Sequence, residues 1–226
     1  AKALEAVQLA FAQGVDNVEL PVTVQPGLVL SDTGEDLGIK DLLSNGVSDF
    51  SNSPAGRDFN VRKGMDIFNG ILIPQGALFS FNSFLGPVDG AHGWKDALAI
   101  FNGGADTRMD PGGGICQVST TVYRAVVEAG LEVVERRAHS YFVSYYAKLG
   151  GLGIDATIYP GSQDLQFKND TPGPILMLAG SSGVRAYVKL YGTKDREVKL
   201  AGPYRSADFG GGAPELDDHG VSAEAT

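Results

Sequence analysis

The sequence predicts an α+β fold built mainly on antiparallel sheet, with a few helices. Two observations predict it. One clear amphipathic helix lies near the middle of the 226-residue chain, and short apolar runs separated by turn residues fill the stretch that follows. The composition, 43% hydrophobic and 20% charged, is typical of a globular domain that can bury a core.

Helices are indicated where apolar residues recur at helical spacing. Residues 2–13 show this spacing, and Gly14 follows as a C-cap. The clearest helix runs over Cys116–Ala129, because valines and alanines line one face and Gly130 ends it. Shorter helices are predicted over Asp36–Leu43, Val61–Phe68 and Trp94–Ile100.

Strands are indicated by short apolar or β-branched runs bounded by turns. Between the turn-rich stretch 44–60 and the main helix, two are predicted, at Gly70–Pro74 and Ala77–Phe81. The others follow it, with short turns between them that favour antiparallel pairing. They are Glu132–Arg137, Ser140–Tyr145, Ala156–Tyr159, Leu165–Lys168, Ile175–Ala179 and Val184–Tyr191.

The chain is expected to divide into three parts. Residues 1–43 are interpreted as the end of a preceding module or an N-terminal arm. Residues 44–200 form the main domain and begin with a turn-rich joint over 44–60. Residues 201–226 lose the apolar pattern and are acidic, so a disordered tail is expected.

The charge and cysteine content exclude several classes of protein. A net charge of −9 argues against a nucleic-acid-binding surface and against docking on anionic lipid. A single cysteine excludes an intramolecular disulfide framework. No apolar run is long enough for membrane insertion, and no export leader precedes Ala1, so we expect a processed or truncated chain.

The single cysteine lies in the most informative stretch, Asp110-Pro-Gly-Gly-Gly-Ile-Cys-Gln-Val-Ser-Thr-Thr121. Glycines allow a tight turn, and a helix N-terminus carries a partial positive charge that favours a thiolate. Cys116 is therefore a candidate nucleophile for acyl transfer at the start of the main helix. The alternative is a buried structural cysteine.

A cysteine nucleophile needs a proton-transfer partner, and His139 is the best of the three histidines. It lies one helix and one strand after Cys116. Asp155 opens a later strand and is the first candidate to orient the imidazole, with Asp110 as the second. Structural roles for both His139 and Asp155 remain open at this point.

Other residues are candidates for holding the substrate. The N–H groups of Gly113, Gly114 and Gln117 are candidate donors to a developing oxyanion. Tyr141 and Tyr145 are candidate groove residues, although such aromatic residues equally suit a core. One side chain of the Arg136-Arg137 pair is expected to face the site and bind a carboxylate, and Arg137 is the choice.

Other sites do not fit the motif. A phosphate-binding P-loop needs a lysine after the last glycine, and the dinucleotide G-x-G-x-x-G spacing is absent. Cys116, His139 and Asp155 lack the short spacing of a zinc site. We therefore expect no metal and no cofactor.

Six stretches of the chain form a recognisable set. They are Ser48–Ser51, Ile71–Asn82, Gly112–Arg124, Glu135–Tyr141, Asp155–Thr157 and Phe167–Thr171. Together they resemble the VanW domain over about residues 44–195. This resemblance implies an exported, extracytoplasmic protein of the cell envelope that acts on peptidoglycan stem peptides.

The resemblance also implies a reaction. Some VanW domains are implicated as L,D-transpeptidases, so Cys116 would form a thioester with a stem tetrapeptide and His139 would shuttle protons. A peptidase or amidase that cuts wall peptides, and a non-catalytic module that binds peptidoglycan or glycopeptide, remain as alternatives. The oligomeric state is not predicted.

Overall fold

The computed structural model describes residues 7, 8, 10–15, 37–101, 106–139, 143–150, 153–201 and 222–225. The chain divides into two units, Ala1–Thr33 and Gly34–Thr226. In the first unit, residues 7, 8 and 10–12 are helical, as predicted. Gly14 ends this helix with a φ of 65° and donates its N–H to the Phe11 carbonyl at 3.2 Å.

The second unit is built on a four-stranded antiparallel sheet in the order β1-β9-β8-β2. Along β8 and β9, buried and partly exposed residues alternate, because one face of the sheet packs on the core. The strands are β1 (Asp41–Asp49), β2 (Ile71–Ile73), β8 (Ile175–Ser182) and β9 (Arg185–Gly192).

Three smaller antiparallel sheets complete the strand content. They are the sheet β3-β7-β6, the hairpin β4-β5 and the pair β10-β11. The strands are β3 (Leu78–Ser80), β4 (Asp96–Phe101), β5 (Asp106–Pro111), β6 (Glu132–Glu135), β7 (Gln166–Lys168), β10 (Val198–Ala201) and β11 (Ser222–Ala225). The predicted α+β class with mainly antiparallel sheet is confirmed.

Among the described residues of the second unit there are three α-helices: α1 (Ala55–Ile67), α2 (Phe81–Leu85) and α3 (Ile115–Glu128). Short 3₁₀ segments occur at Gly90–His92 and Ser144–Gly150. Helix α3 packs against β1, β9 and α1, and nearly all of its residues are buried. It is therefore the central element of the core. No helix among the described residues is long and apolar enough to cross a membrane.

The rest of the core is rich in aromatic residues. Phe68 stacks on Phe81 with ring centroids 4.2 Å apart, and Phe79 stacks on Phe167 at 4.6 Å. All four rings are essentially inaccessible to solvent. Each such buried side chain contributes roughly 1.5–3 kcal/mol of transfer free energy, so this cluster anchors the three-stranded sheet to α1 and α2.

Two predicted helices are wrong. Residues 94–100 enter strand β4, where Ala97 is buried and Leu98 is 62% exposed, the alternation expected of a strand. Residues 36–43 run into β1. Both segments are short apolar runs, whose type is decided by pairing partners elsewhere in the chain. The predicted helix over 61–68 starts earlier, at Ala55.

The expected division of the chain also differs in detail. The boundary predicted after residue 43 falls inside β1, and the compact units separate after Thr33. Within the expected acidic tail, residues 222–225 form β11 against β10. Residues 202–221 lie outside the described part of the chain.

Candidate functional site

Cys116 is the second residue of α3, directly after the glycine turn. Gly114 precedes the helix with a φ of 110°, a conformation that L side chains rarely adopt. The first N–H groups of a helix have no intrahelical carbonyl to bind, and they give this end a partial positive charge. The cysteine thus lies where the backbone favours an anion.

The glycine turn is fixed from both sides. The fully buried Asn60 on α1 donates to the carbonyls of Gly113, at 3.0 Å, and Lys95, at 2.8 Å. On the other side, a Cβ at Gly113 would lie 2.5 Å from the Ala97 carbonyl oxygen. Only glycine fits against this backbone, so β4 sets the position at which α3 begins.

Cys116, His139 and Asp155 lie together as one chain of interacting side chains. The His139 Nδ1 lies 2.5 Å from Asp155 Oδ2, which also accepts the His139 backbone N–H at 2.9 Å. His139 and Cys116 are close enough for each to shift the pKa of the other. Because Nδ1 is directed at the carboxylate, Nε2 is the ring nitrogen available to the sulfur. The sulfur also lies 3.5 Å from Thr157 Oγ1.

The strand-like segment 154–158 is tied to α3 and carries Asp155. The hydroxyl of Ser119 donates to the Ala156 carbonyl at 2.7 Å, and the Ala156 N–H donates to Thr120 Oγ1 at 3.1 Å. Because these hydroxyls are buried on the same helix as Cys116, they set the distance between the carboxylate and the nucleophile.

Two buried arginines support the chain. Arg136 binds the Asp155 carbonyl at 2.7 Å and its Oδ1 at 3.3 Å, and its guanidinium lies over the Tyr123 ring. Arg124 on α3 donates to the carbonyls of Ile154, Val47 and Tyr146. Together they hold the elements that carry Cys116, His139 and Asp155 in one arrangement.

The electrostatics favour a thiolate–imidazolium pair. Burial raises the pKa of the Cys116 thiol, but the hydrogen bond and charge of His139 outweigh it, so the pKa lies below its ordinary value. Burial lowers the pKa of His139, but its bonds to Asp155 and Cys116 raise it to about 9. The pKa of Asp155 is lowered against the effect of burial, chiefly by its bonds to His139.

This arrangement is equipped for nucleophilic acyl transfer. A cysteine thiolate can attack a carbonyl carbon directly, and an imidazolium holds the proton that a leaving amine requires. Asp155 binds the ring through Nδ1 and favours its charged form. Cys116 is partly exposed to solvent, whereas the His139 side chain is only 5% exposed.

The predicted oxyanion donors are largely occupied within the protein. The N–H of Gln117 donates to the Gly114 carbonyl at 3.0 Å, and that of Gly113 donates to the Asp110 carbonyl at 3.4 Å. The fully buried Gln117 side chain donates to Ser48 and to the Asp49 carbonyl. Asp110 thus serves the turn through its backbone, and Asp155 is the carboxylate that binds His139.

The predicted substrate residues lie at different distances from the chain. Tyr145 is half-buried, and its ring packs edge-on against Tyr146, which lies 5.3 Å from the His139 ring. Arg137 is exposed, and its carbonyl accepts the Thr157 N–H. Of the arginine pair, Arg136 is therefore the one that faces Asp155. Tyr141 lies outside the described residues.

The sequence did not predict the roles of several residues around Cys116. Arg57 on α1 donates to Gln117 Oε1, beside the nucleophile, yet it lies in the stretch interpreted as a joint. Thr157 belongs to the family-like stretch Asp155–Thr157, but no role was predicted for it, and only the fold brings its side chain to Cys116. Strand alternation predicted that one of Arg136 and Arg137 faces the site, and Arg137 was chosen, whereas Arg136 is the residue that binds Asp155.

The other histidines do not join the site as described. His92 is exposed and binds Asp89, and His219 lies outside the described residues. Within the part of the chain that the structure describes, no group of three or more His, Cys, Asp or Glu side chains is arranged to hold a metal ion.

Comparison with known proteins shows where the similarity lies. A family described as "VanW like protein" matches residues 56–191, which contain the whole Cys116–His139–Asp155 chain. The uncharacterized protein YoaR of Bacillus subtilis (strain 168) is 34% identical over 149 residues, which make up 66% of this chain and 47% of YoaR.

A second relative is the vancomycin B-type resistance protein VanW of Enterococcus faecalis (strain ATCC 700802 / V583). It is 33% identical over 116 residues, which make up 50% of this chain and 41% of that protein. The chain thus spans less than half the length of either relative. No solved structure matches it significantly.

Proposed function

Because the chain belongs to the VanW-like protein family, we propose that it acts in the cell envelope as a cysteine acyltransferase, an L,D-transpeptidase of peptidoglycan. The name of one relative links that relative to vancomycin resistance, which supports a role in the envelope. The single observation that carries the proposal is the placement of His139, which binds Asp155 through Nδ1 and lies close enough to Cys116 to lower the pKa of its thiol.

In the first half-reaction the Cys116 thiolate attacks the carbonyl carbon of the last peptide bond of a stem tetrapeptide. The oxygen becomes an oxyanion beside the N-terminus of α3, whose partial positive charge stabilises it. The carbon–nitrogen bond then breaks, and the His139 imidazolium gives its proton to the departing amine of the terminal D-alanine. The product is a thioester on Cys116 and a neutral imidazole.

In the second half-reaction a side-chain amine of a neighbouring stem attacks the thioester. His139 takes the proton from that amine as the new amide forms, and the sulfur leaves as a thiolate. The thiolate–imidazolium pair is thereby restored. A water molecule in place of the amine would give hydrolysis, and the same groups would serve it.

Product analysis distinguishes these outcomes. The protein is incubated with a disaccharide-tetrapeptide, and its products are followed by mass spectrometry alongside those of Cys116→Ala. Cross-linked dimer with loss of D-alanine, formed by wild type alone, is the expected result. Disaccharide-tripeptide alone would indicate a hydrolase. Binding of the substrate by both proteins without any product would indicate a binding module and overturn the enzymatic proposal.

A further inference from the structure

Arg57 lies beside the nucleophile without taking part in the Cys116–His139–Asp155 chain. It is the third residue of α1 and is half-buried. Its Nη2 donates to Gln117 Oε1 at 2.6 Å, and its Nη1 donates to Ser53 Oγ at 2.6 Å. Since Gln117 is the residue after Cys116, the guanidinium is anchored next to the site of chemistry.

The Arg57 guanidinium is held in a fixed orientation. The buried Gln117 side chain that accepts from it is itself pinned by bonds to Ser48 and Asp49. On the other side, the Arg57 Cζ lies over the Tyr145 ring, 4.8 Å from its centroid. An arginine ordered in this way loses little entropy when it binds a ligand.

Arg57 differs from the neighbouring basic side chains in the charge of its hydrogen-bond partners. Lys148 pairs with Asp49, Arg136 with Asp155, and Arg62 of the same helix with Asp58. Among the residues that the structure describes, both hydrogen-bond acceptors of Arg57 are neutral and no carboxylate is paired with it. A guanidinium has five N–H donors, so three remain for an anion.

We propose that Arg57 forms the subsite that binds the C-terminal carboxylate of the acyl-donor peptide. A planar guanidinium recognises a carboxylate through paired hydrogen bonds. In the proposed reaction the terminal carboxylate lies one residue beyond the bond that Cys116 breaks, on the leaving-group side. Arg57 thus selects peptides that end in a free carboxylate at that position, and Tyr145 supports the guanidinium.

This inference rests on the proposed function, and a binding measurement separates the two. The Cys116→Ala protein is titrated calorimetrically with disaccharide-tetrapeptide in two forms, one with a free terminal carboxylate and one with a terminal amide. We expect the acid to bind about 10- to 100-fold more tightly than the amide, the range for hydrogen bonds to charged groups.

Replacing Arg57 with Met in the same protein should abolish this preference by weakening the acid alone, and Arg57→Lys should restore part of it. Arg62→Met, which removes a guanidinium from the same helix, should retain the preference. Near-ultraviolet circular dichroism verifies that each variant is folded.

The preference is decisive whether or not the protein is an enzyme. Equal weakening of both peptides by Arg57→Met would show a structural role and overturn the proposal, as would failure of both peptides to bind to the Cys116→Ala protein. If wild type forms cross-links but the Cys116→Ala protein binds the acid no more tightly than the amide, this inference fails while the proposed function stands. If no product forms but the preference depends on Arg57, the carboxylate subsite stands without the chemistry.

Discussion

Individual side chains set the reactivity of Cys116 more than the glycine turn does. A helix N-terminus alone lowers a thiol pKa modestly, and burial opposes it. His139 tips the balance, because its positive charge favours the thiolate at the same time as the thiolate and Asp155 favour the imidazolium. The two groups titrate as a coupled pair.

The first prediction concerns alkylation of Cys116 by iodoacetamide as a function of pH. Since only the thiolate reacts, the rate should already be high near neutral pH, and it should change again as His139 loses its proton at about pH 9. In His139→Gln the rise of the alkylation rate with pH should move to higher pH, because burial raises the pKa of Cys116 and His139 no longer opposes it. Alkylation only after denaturation would contradict this prediction.

The second prediction concerns Asp155→Asn. The neutral amide cannot stabilise the imidazolium, so the pKa of His139 should fall from about 9 toward its ordinary 6.5. Below pH 6.5 His139 is protonated in both wild type and Asp155→Asn. The two proteins should therefore differ in the charge of His139 between pH 6.5 and about 9. An NMR titration of His139 measures it. Asp89→Asn, which removes a partner of His92, is the control and should leave the His139 titration unchanged.

Among the elements, the β4-β5 hairpin and helix α1 determine where α3 starts. The glycine turn packs against the β4 backbone, and Asn60 of α1 binds both the turn and Lys95. The segment 154–158 is in turn bound to α3 through Ser119 and Thr120. The buried helix α3 thus sets the positions of Cys116 and of the segment that carries Asp155.

The third prediction tests the fit of the glycine turn. In Gly113→Ala the new methyl group would meet the backbone of Ala97 and Leu98 at 2.5–2.7 Å, and the backbone cannot yield as a flexible side chain can. Stability should fall by about 1–3 kcal/mol, the range for overpacking, in urea unfolding. Alkylation of Cys116 near neutral pH should also slow.

Gly90→Ala is the matched control, because a Cβ at Gly90 meets no atom within 4 Å. It should leave both the urea midpoint and the alkylation rate close to those of wild type. An equally stable Gly113→Ala protein with unchanged alkylation would show that the turn tolerates a side chain and does not set the position of α3.

For the molecule as a whole, the sequence predicted the parts governed by local pattern. The helix over 116–129 matches α3, Ile115–Glu128, because its apolar face and Gly130 are local signals. The helix predicted over 94–100 failed because β4 is specified by its partner β5. The whole-chain pattern of short strands nevertheless predicted the α+β class.

The candidate site was likewise predictable in part. Cys116, His139 and Asp155 could be chosen by chemical type, and the structure brings them together. The contributions of Arg57 and Thr157 could not be predicted, since Arg57 reaches Gln117 and Thr157 reaches Cys116 only through long-range packing. Residue type thus identifies groups that do chemistry better than groups that support them.

The fourth prediction concerns the two compact units. Since every described residue of the core and of the candidate site lies within Gly34–Thr226, a chain beginning at Gly34 should unfold at the same urea concentration as the full chain. Its Cys116 should be alkylated with the same pH profile. A lower midpoint together with an altered profile would mean that residues 1–33 contribute to the fold of the second unit.

The proposed reaction requires that Cys116 form a thioester with a wall peptide. Intact-protein mass spectrometry after mixing with disaccharide-tetrapeptide and rapid acid quenching detects this thioester. Wild type should gain the mass of the peptide less D-alanine, on Cys116, and Cys116→Ala should gain nothing. Cross-linked product formed equally by both proteins, or no adduct on wild type at saturating peptide, would contradict the claim.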